Sequence, residues 1–382
     1  MSGFLEELKS IDGGAVIAAA EESSPQRVNS VIAAAARGER ISTDDFLALC
    51  SPAAAAQLEH MAKLARALTI RRFGKTIQLY APLYISNFCT NSCVYCGFNA
   101  HNDVVRRTLN PDQVRAEAAH LSQKHIMQLL LVTGECPCQV SPADMVQTAR
   151  SLSGLFPSLA IEVYPLDLDD YQELCRSGVD GLTIYQETYD RATYAAVHPA
   201  GPKSDFERRL ETPERGGAAG FRQIGIGSLL GLSDWRFEAY CLVRHATYLM
   251  KHFWKSQISV SFPRLRHAAG GYQPPHPVGD RELVQMVCAI RLALPDAGLV
   301  LSTREPAALR DHVMRLGITK MSAGSKTSPG GYLDEQGPRA EGQFDVSDNR
   351  TVEEVVAAIR SKGYDPVWKD WDRGFEGSEP NV

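Results

Sequence analysis

The chain has 382 residues, of which 44% are hydrophobic and 22% are charged, and its formal net charge at pH 7 is −5. This is enough apolar material for one large globular domain or two ordinary ones, and the slightly acidic balance disfavours binding to nucleic acid or to anionic membranes. The N-terminus lacks a basic region followed by an apolar run, and no stretch approaches the roughly 18 apolar residues of a membrane span. We therefore expect a soluble, cytoplasmic protein.

The cysteines also argue against a secreted protein. The chain has nine of them, and three lie within eight residues, a pattern that does not suit an extracellular disulfide framework. We therefore expect reduced thiols. The cysteines that stand alone in segments with helical periodicity are interpreted as small buried apolar groups, namely Cys50, Cys175, Cys241 and Cys288.

Residues 1–75 are predicted to form an N-terminal helical segment. Ser42 begins a polar cap, and Ser51 with Pro52 opens an alanine-rich stretch over 53–72 that has the composition of a helix. This segment is expected to form a helical layer beside the following domain.

Residues 76–330 alternate between short apolar runs rich in branched residues and amphipathic stretches of helical length, which indicates β-α units. Eight strands are predicted, at 77–86, 127–132, 160–164, 181–185, 223–230, 258–262, 299–303 and 320–323. Helices are predicted between them, at 111–123, 143–155, 169–176, 205–219, 235–254, 281–294 and 307–316. Eight strands over about 250 residues are typical of an α/β fold of the TIM type, a (β/α)₈ barrel, although a doubly wound sheet shows the same alternation.

Residues 331–382 are predicted to be a C-terminal extension. They are rich in loop-forming residues, with one helix at 352–361 and an aromatic segment at 364–371. We expect the aromatic segment to pack against the barrel, while covering the barrel mouth and contacting a partner protein remain alternatives.

The strongest chemical signal is the cysteine run that directly follows the first predicted strand. Cys89, Cys93 and Cys96 have the spacing C-x₃-C-x₂-C, which brings three soft thiolates within reach of one centre. A structural zinc site needs a fourth Cys or His ligand, and none follows at a suitable spacing. An iron–sulfur cluster with one open corner is therefore favoured over zinc. Cys136 and Cys138 are too few for a second cluster and are interpreted as incidental.

This spacing, with the aromatic Tyr95 just before the last cysteine, is similar to the signature of the radical S-adenosylmethionine (SAM) superfamily. The resemblance implies that a [4Fe-4S] cluster transfers an electron to the sulfonium of SAM. Methionine and a 5′-deoxyadenosyl radical are then released, and the radical takes a hydrogen atom from the substrate. Tyr95 is implied to lie beside the cofactor.

The same resemblance implies a set of SAM-binding residues. Glu135, in a Gly-Glu pair after the second strand, corresponds to a segment that holds the methionine ammonium group. Gly225 and Gly227 on the fifth strand resemble the strand beside the adenine, although close helix packing also explains them. Arg209 matches an arginine that binds the methionine carboxylate, and Arg208 is the alternative.

Three further polar residues lie on or just after the third and fourth predicted strands. Glu162, Gln186 and Glu187 are at positions suited to the ribose hydroxyls or to the surroundings of the sulfonium. Their separate roles stay open.

Segments spread over nearly the whole chain resemble the aromatic amino-acid lyases of this superfamily, and most of all the tyrosine lyase family, or 2-iminoacetate synthases, of bacterial thiamine-thiazole biosynthesis. These segments are 84–89 (YISNFC), 96–98 (CGF), 185–189 (YQETY), 209–213 (RLETP), 261–266 (SFPRLR), 301–305 (LSTRE) and 366–371 (PVWKDW). The resemblance implies cleavage of the Cα–Cβ bond of L-tyrosine to p-cresol and 2-iminoacetate (dehydroglycine). It also implies a thiazole synthase partner and a reduced flavodoxin- or ferredoxin-type electron donor whose identity stays open.

An amino acid attacked by a radical must be held rigidly, because misplacement by about 1 Å can cost on the order of 100-fold in rate. Arg304, after the seventh strand, is expected to bind the substrate carboxylate through its two-pronged guanidinium. Ser322 and Tyr84 would complete the clamp. These three positions match carboxylate and amine contacts of a related tryptophan lyase, although core packing explains Tyr84 equally well.

Two related families are the main alternatives. A tryptophan lyase shares the scaffold, and the segment at 366–371 favours the tyrosine enzymes. The tyrosine-cleaving hydrogenase maturases carry a second cysteine motif in a C-terminal extension, whereas this chain has no cysteine after Cys288.

Overall fold

The computed structural model describes residues 3–333 and 342–369, so the predictions for Asp370 and Trp371 lie outside the described residues. The strands are β1 (Thr76–Ser86), β2 (Gln128–Thr133), β3 (Ser158–Glu162), β4 (Gly181–Glu187), β5 (Gln223–Ser228), β6 (Gln257–Ser261), β7 (Gly298–Leu301), β8 (Lys320–Ser322) and β9 (Asp365–Val367). The helices of the N-terminal layer are α1 (Phe4–Lys9), α2 (Gly13–Glu21), α3 (Pro25–Arg37), α4 (Thr43–Leu49), α5 (Pro52–Ala55) and α6 (Leu58–Phe73).

The remaining helices follow the strands of the sheet. They are α7 (Pro111–Gln123), α8 (Pro142–Leu152), α9 (Leu168–Arg176), α10 (Arg191–Val197), α11 (Phe206–Leu210), α12 (Thr212–Ala219), α13 (Trp235–His252), α14 (Asp280–Ala293), α15 (Ala307–Val313) and α16 (Val352–Ser361), with a 3₁₀ turn at Pro202–Ser204. Within the described ranges no helix combines the length and the apolarity that crossing a membrane requires.

Strands β1 to β8 close into a parallel barrel. Each strand pairs with the next, and β1 pairs with both β2 and β8, so the barrel has no open edge. The predicted (β/α)₈ barrel is therefore confirmed, and the doubly wound alternative, whose outer strands would be unpaired on one side, is wrong. The register places Tyr84 beside Val132 and Tyr80 beside Ser322.

One predicted helix, at 205–219, is broken in two. The first helix ends at Leu210 and the second begins at Thr212, and Pro213 lies in the first turn of α12. Proline donates no backbone hydrogen bond and disfavours helical geometry in the residue before it, so it suits the start of a new helix better than the middle of a long one. The break makes α11 a short helix that carries Arg209 at the edge of the barrel mouth.

The N-terminal helices cover the outside of the barrel next to α13 and α14. Phe4 stacks on the buried His245 of α13 with 4.2 Å between ring centroids. Gln285 of α14 donates hydrogen bonds of 2.9 Å to the carbonyl oxygens of Leu49 and Ser51. The layer therefore packs on the outer surface of the barrel's helices.

The C-terminal extension contacts both ends of the barrel. Segment 342–348 lies at the mouth, whereas β9 pairs with Thr76, Ile77 and Gln78 at the opposite end of β1. Tyr364, just before β9, is buried, and Trp368 packs against the core 6.4 Å from the ring of His125. The described part of the aromatic segment thus packs at the end away from the mouth. Strand β9 and the placement of 342–348 were not predicted.

Candidate active site

The side chains at the barrel mouth come from nearly every strand. Polar groups follow the carboxyl ends of the strands, which is where TIM-barrel enzymes hold their active sites. A cavity of about 470 Å³ lies there, lined among others by Tyr84, Glu162, Arg304, Ser322, Gln343 and Phe344. The cysteine loop after β1 borders it, because Cys89 and Cys96 pack against a cluster formed by Tyr84, Phe98 and Val132.

The cysteine loop is held in shape by Arg106. Its guanidinium donates four hydrogen bonds of 2.6 to 3.3 Å to the carbonyl oxygens of Asn87, Phe98, Asn99 and Asn102. These carbonyls flank the three cysteines on both sides in sequence. One charged group that satisfies four backbone acceptors fixes the loop without any help from a bound metal.

The donor set of this loop fits an iron–sulfur cluster rather than one metal ion. Cys93 is buried, and Cys89 and Cys96 are half-buried. Across the described ranges no three Cys, His, Asp or Glu side chains come together as ligands of a single ion. The thiolates of a cubane each bind a different iron, so they lie further apart than ligands of one tetrahedral zinc. The three sulfurs and the absent fourth ligand therefore fit a cluster with an open corner.

The free thiols of Cys93 and Cys96 are protonated at neutral pH. Burial raises the pKa of Cys93 to about 11 and that of Cys96 to about 12. Iron binds thiolates, so loading the loop must release these protons.

Gly134, between β2 and Glu135, lets the cysteine loop pack directly on the barrel. A Cβ atom at this position would lie 2.3 Å from the carbonyl oxygen of Phe88 and 3.2 Å from the Cβ of Cys89. Next to it, the carbonyl oxygen of Glu135 accepts from the amide of Thr90, and the Glu135 carboxylate accepts from Asn91 at 2.7 Å. The segment of Glu135 is thus a support for the cysteine loop.

Replacing Gly134 with alanine is expected to displace the cysteine loop, because the clash is with backbone that has no free rotation. After anaerobic reconstitution, we expect the variant to bind less than about half as much iron as the unsubstituted protein. The reason is that the loop must move to relieve the clash, and active sites rarely tolerate such a displacement. Gly154→Ala is the matched control, since no atom lies within 4 Å of its Cβ position. Equal iron content in the two variants would show that the loop does not depend on this contact.

Glu187 is the centre of a buried charge network at the end of β4. Its carboxylate lies 2.7 Å from the Lys203 ammonium and 3.4 Å from the Arg209 guanidinium, which also donates to the carbonyl oxygen of Tyr185 at 2.6 Å. Glu187 has φ of +71°, an unusual conformation that directs its side chain from a bulge in β4. Burial acts to raise its pKa, but Lys203 and Arg209 outweigh that effect and lower it. The carboxylate is therefore ionised at neutral pH.

Arg208 and Arg209 point in different directions. The Arg208 side chain is 46% exposed and pairs with Asp167 at 3.0 Å, outside the mouth. Arg209 is buried and reaches Glu187. Lys203, which was missed by the sequence analysis, lies in the 3₁₀ turn at Pro202–Ser204, and its backbone amide donates to Asn91 at 2.8 Å. No motif or periodicity marks this lysine.

Tyr95 is anchored by a buried histidine. Its hydroxyl lies 2.7 Å from Nε2 of His198, whose Nδ1 lies 2.9 Å from the carbonyl oxygen of Tyr194. Because a carbonyl only accepts, Nδ1 carries the proton and Nε2 accepts from Tyr95. Burial lowers the pKa of His198 to about 3, so the ring is neutral.

The other residues predicted near the cofactor lie at different depths. Gln186 is buried, donates to the carbonyl oxygen of Phe206 at 3.3 Å, and so contacts the start of α11. Gly227 lies next to the ring of Tyr185, with 2.7 Å from its Cβ position to Cδ1. Gly225 lies deeper, lining an internal cavity of about 520 Å³ below the mouth. The Cβ positions of both glycines face β4 and β6 inside the barrel, so helix packing does not explain them.

Arg304 and Ser322 lie on the other side of the mouth, on the loop after β7 and at the end of β8. Ser322 accepts a hydrogen bond of 3.0 Å from the amide of Thr303, and its hydroxyl also hydrogen-bonds with the hydroxyl of Tyr80. Arg304 forms no ion pair with a carboxylate among the residues that the structure describes, and its guanidinium carbon lies 3.3 Å from the centroid of the Phe344 ring. Burial lowers the pKa of this guanidinium. An arginine without a protein anion in a cavity is suited to bind the carboxylate of a ligand.

Glu162 carries the most strongly perturbed carboxyl group of the cavity. Burial, with a smaller contribution from Glu187, raises its pKa from 4.5 to about 7. As the pH rises from about 4.5 to 7, the unfolded chain loses this proton before the folded protein does. Stability is therefore lost across this range, by at most about 1.4 kcal/mol per pH unit.

The variant Glu162→Gln has no carboxyl group at this position, so we expect it to lose no stability from this source as the pH rises. The free energy of unfolding of the variant minus that of the unsubstituted protein should therefore increase between pH 5 and pH 8. Urea denaturation of the cluster-free proteins measures both values. A gain that is the same at both pH values would contradict the raised pKa. Glu353→Gln is the control, because that carboxyl group is exposed and its pKa is lowered.

Comparison with known proteins identifies the family. A model of the radical SAM superfamily matches residues 83–242, and a model of the biotin and thiamin synthesis associated domain matches residues 261–365. The 2-iminoacetate synthase of Escherichia coli (strain K12) is 46% identical over 351 residues, which cover 91% of this chain and 93% of that enzyme. The chain belongs to the 2-iminoacetate synthase family. The enzyme of the same name from Salmonella typhimurium matches with the same identity and coverage.

Solved structures agree with this membership of the 2-iminoacetate synthase family. HydG, a maturase of the [FeFe]-hydrogenase, superposes with a TM-score of 0.87 at 29% identity and covers 96% of this chain and 80% of its own. Methylornithine synthase (PylB) superposes with a TM-score of 0.72 at 19% identity, covers 91% of this chain and 99% of its own, and shows the fold alone. The predicted family resemblance is confirmed, and with it the [4Fe-4S] cluster and SAM as the cofactors of a radical SAM lyase.

Proposed function

We propose that this enzyme cleaves the Cα–Cβ bond of L-tyrosine to give 2-iminoacetate and p-cresol, with 5′-deoxyadenosine and methionine formed from SAM. The product supplies the synthesis of the thiamine thiazole. Family membership at 46% identity supports the reaction. The observation that carries it is a cavity next to the cysteine loop, in which Arg304 has no carboxylate partner among the described residues.

The proposal divides the mouth into three groups of residues. The metal ligands are Cys89, Cys93 and Cys96, and the group they hold would supply the electron that cleaves SAM. The cofactor side consists of Tyr95, Glu135, Glu162, Gln186, Glu187, Arg209 and Gly227, with Gly225 deeper in the barrel. Its charges suit a ligand with a carboxylate, an ammonium and a sulfonium, because buried cations and carboxylates are both present.

On the substrate side, Arg304 binds the carboxylate, and Ser322 contacts the same group. Tyr84, on the strand that pairs with β8, contacts the amine. Fixing the two charged groups of the amino acid leaves its side chain no freedom to turn away from the radical, which is the main requirement of such a reaction. Lys203 would keep the Glu187 carboxylate charged beside the cofactor.

The proposal also includes partners and organisation. A small imine is readily hydrolysed, so we place a thiazole synthase next to the enzyme to consume it, and a reduced flavodoxin or ferredoxin as the electron donor. Because both partners are expected in the cytoplasm, we propose that the enzyme acts there. We further propose that the chain has three parts, namely an N-terminal helical layer (1–75), the barrel (76–330) and a C-terminal extension (331–382).

The test is anaerobic reconstitution with iron and sulfide, followed by incubation with SAM, a reductant and either tyrosine or tryptophan. The proposal expects p-cresol from tyrosine in step with deoxyadenosine. An indole-derived acid from tryptophan, without p-cresol from tyrosine, would identify a tryptophan lyase instead. A colourless protein that takes up no iron would reject the whole class.

A further inference from the structure

A strap of the C-terminal extension, residues 342–348, closes one side of the substrate cavity. Its backbone is tied to three loops of the barrel mouth. The amide of Gln343 donates to the carbonyl oxygen of Thr327 at 3.0 Å, the amide of Asp345 to that of His267 at 2.9 Å, and the amide of Ser347 to that of Thr303 at 3.0 Å. The strap is therefore a fixed wall of the site.

The strap also contacts the cysteine loop. The amide of Gly97, next to Cys96, donates to the carbonyl oxygen of Gln343 at 3.0 Å. A Cβ atom on Gly97 would lie 2.3 Å from the carbonyl oxygen of Gly342, so the two backbones are in direct contact. Gln343 consequently lies between the cluster ligands and the cavity, where a substrate must be held.

The side chain of Gln343 fixes the hydroxyl of Tyr84. Its Oε1 accepts a hydrogen bond of 2.8 Å from the Tyr84 hydroxyl. A phenol has one proton, so once that proton is donated the oxygen can only accept from any further partner.

The next residue of the strap, Phe344, contacts Arg304. The ring of Phe344 lies against the Arg304 guanidinium at 3.3 Å, which holds that group flat while its N–H edges stay available. The strap thus leaves the Tyr84 oxygen as an acceptor and Arg304 as a strong donor in the same cavity. An ammonium group needs the first, and a carboxylate needs the second.

We propose that Gln343 is a positioning residue that makes the site selective for an α-amino acid over the corresponding acid without an amine. It does so by holding the Tyr84 hydroxyl as an acceptor for the substrate ammonium. The inference rests on the proposed tyrosine lyase function.

The test measures binding, not turnover, with the reconstituted, SAM-loaded enzyme in the absence of reductant. Calorimetry with L-tyrosine and with 3-(4-hydroxyphenyl)propionate, which lacks the amine, compares the two ligands. In Gln343→Leu we expect the Kd of tyrosine to rise roughly 10-fold, because a hydrogen bond to a charged group is weakened, while the Kd of the propionate changes less than about 2-fold. Gln273→Leu, an exposed glutamine outside the cavity, is the control.

Two further variants separate positioning from general damage. Tyr84→Phe should weaken tyrosine binding to a similar extent, and the double variant should be no weaker than either single one, because both act through one hydroxyl. Gln343→Glu keeps an acceptor for Tyr84 and should keep the preference for tyrosine over the propionate. Unchanged tyrosine binding in Gln343→Leu, or equal weakening of both ligands, overturns the inference. If the unsubstituted enzyme does not bind tyrosine at all, the proposed function fails and the inference with it.

Discussion

Replacing Arg304 with alanine is expected to weaken tyrosine binding by at least about 100-fold. Removing one partner of a buried ion pair costs roughly 3–5 kcal/mol, and each factor of ten in affinity corresponds to about 1.4 kcal/mol. The structure supports the large value, because Arg304 has no carboxylate partner among the described residues and lies in the cavity against Phe344. The substrate carboxylate would therefore lose its main counter-charge.

Calorimetry with the SAM-loaded, unreduced enzyme measures this directly. The tyrosine affinity of Arg304→Lys should lie between that of Arg304→Ala and that of the unsubstituted enzyme, because a lysine keeps the charge but not the two parallel hydrogen bonds of a guanidinium. Arg281→Ala is the matched control, because that exposed side chain on the outside of α14 donates only to the carbonyl oxygen of Ala55. Tyrosine affinity that is the same in Arg304→Ala and Arg281→Ala would remove Arg304 from the site.

The barrel could be predicted because its strands carry a strong local signal. Strand β2 is buried at all six positions and is followed by a turn and a capped helix, so burial and chemistry both mark its ends. Helix α7 begins at Pro111, its N-cap Asn110 forms a capping box with Gln113, and its bounds were predicted without error. The broken helix at 205–219 shows the limit of such a prediction. The helix-forming composition continues past Pro213, so it does not show that one helix ends at Leu210 and another begins at Thr212.

The site was predictable where residues follow strands and not where they lie on connecting loops. Glu162 and Tyr84 lie on strands whose register fixes which way they point, and both line the cavity. Lys203 and Gln343 reach the mouth only through folded loops that lie far along the chain from the cysteines. Loop paths depend on tertiary hydrogen bonds such as that between Gly97 and Gln343, for which a single sequence has no periodic signal.

The cysteine loop gives the second large expected effect. In Cys93→Ala we expect the four-iron cluster and deoxyadenosine formation to be lost, since Cys93 is the most buried of the three thiols and no other described side chain lies ready to replace it. Two remaining thiolates cannot hold a cubane that must also leave one iron open for SAM. The backbone should survive the change, because Arg106 holds the loop through carbonyl oxygens, not through the sulfurs.

Cys138→Ala is the control that makes this outcome specific. Cys138 is exposed, lies after Glu135 on the loop that supports the cysteine run, and has its sulfur 3.1 Å from that of Cys136. If Cys138→Ala keeps its iron and its visible absorbance while Cys93→Ala loses both, the run of three cysteines alone holds the cluster. Deoxyadenosine formed at the normal rate by Cys93→Ala would mean that electron delivery to SAM does not pass through this loop, and the proposed chemistry would have no remaining source for its radical.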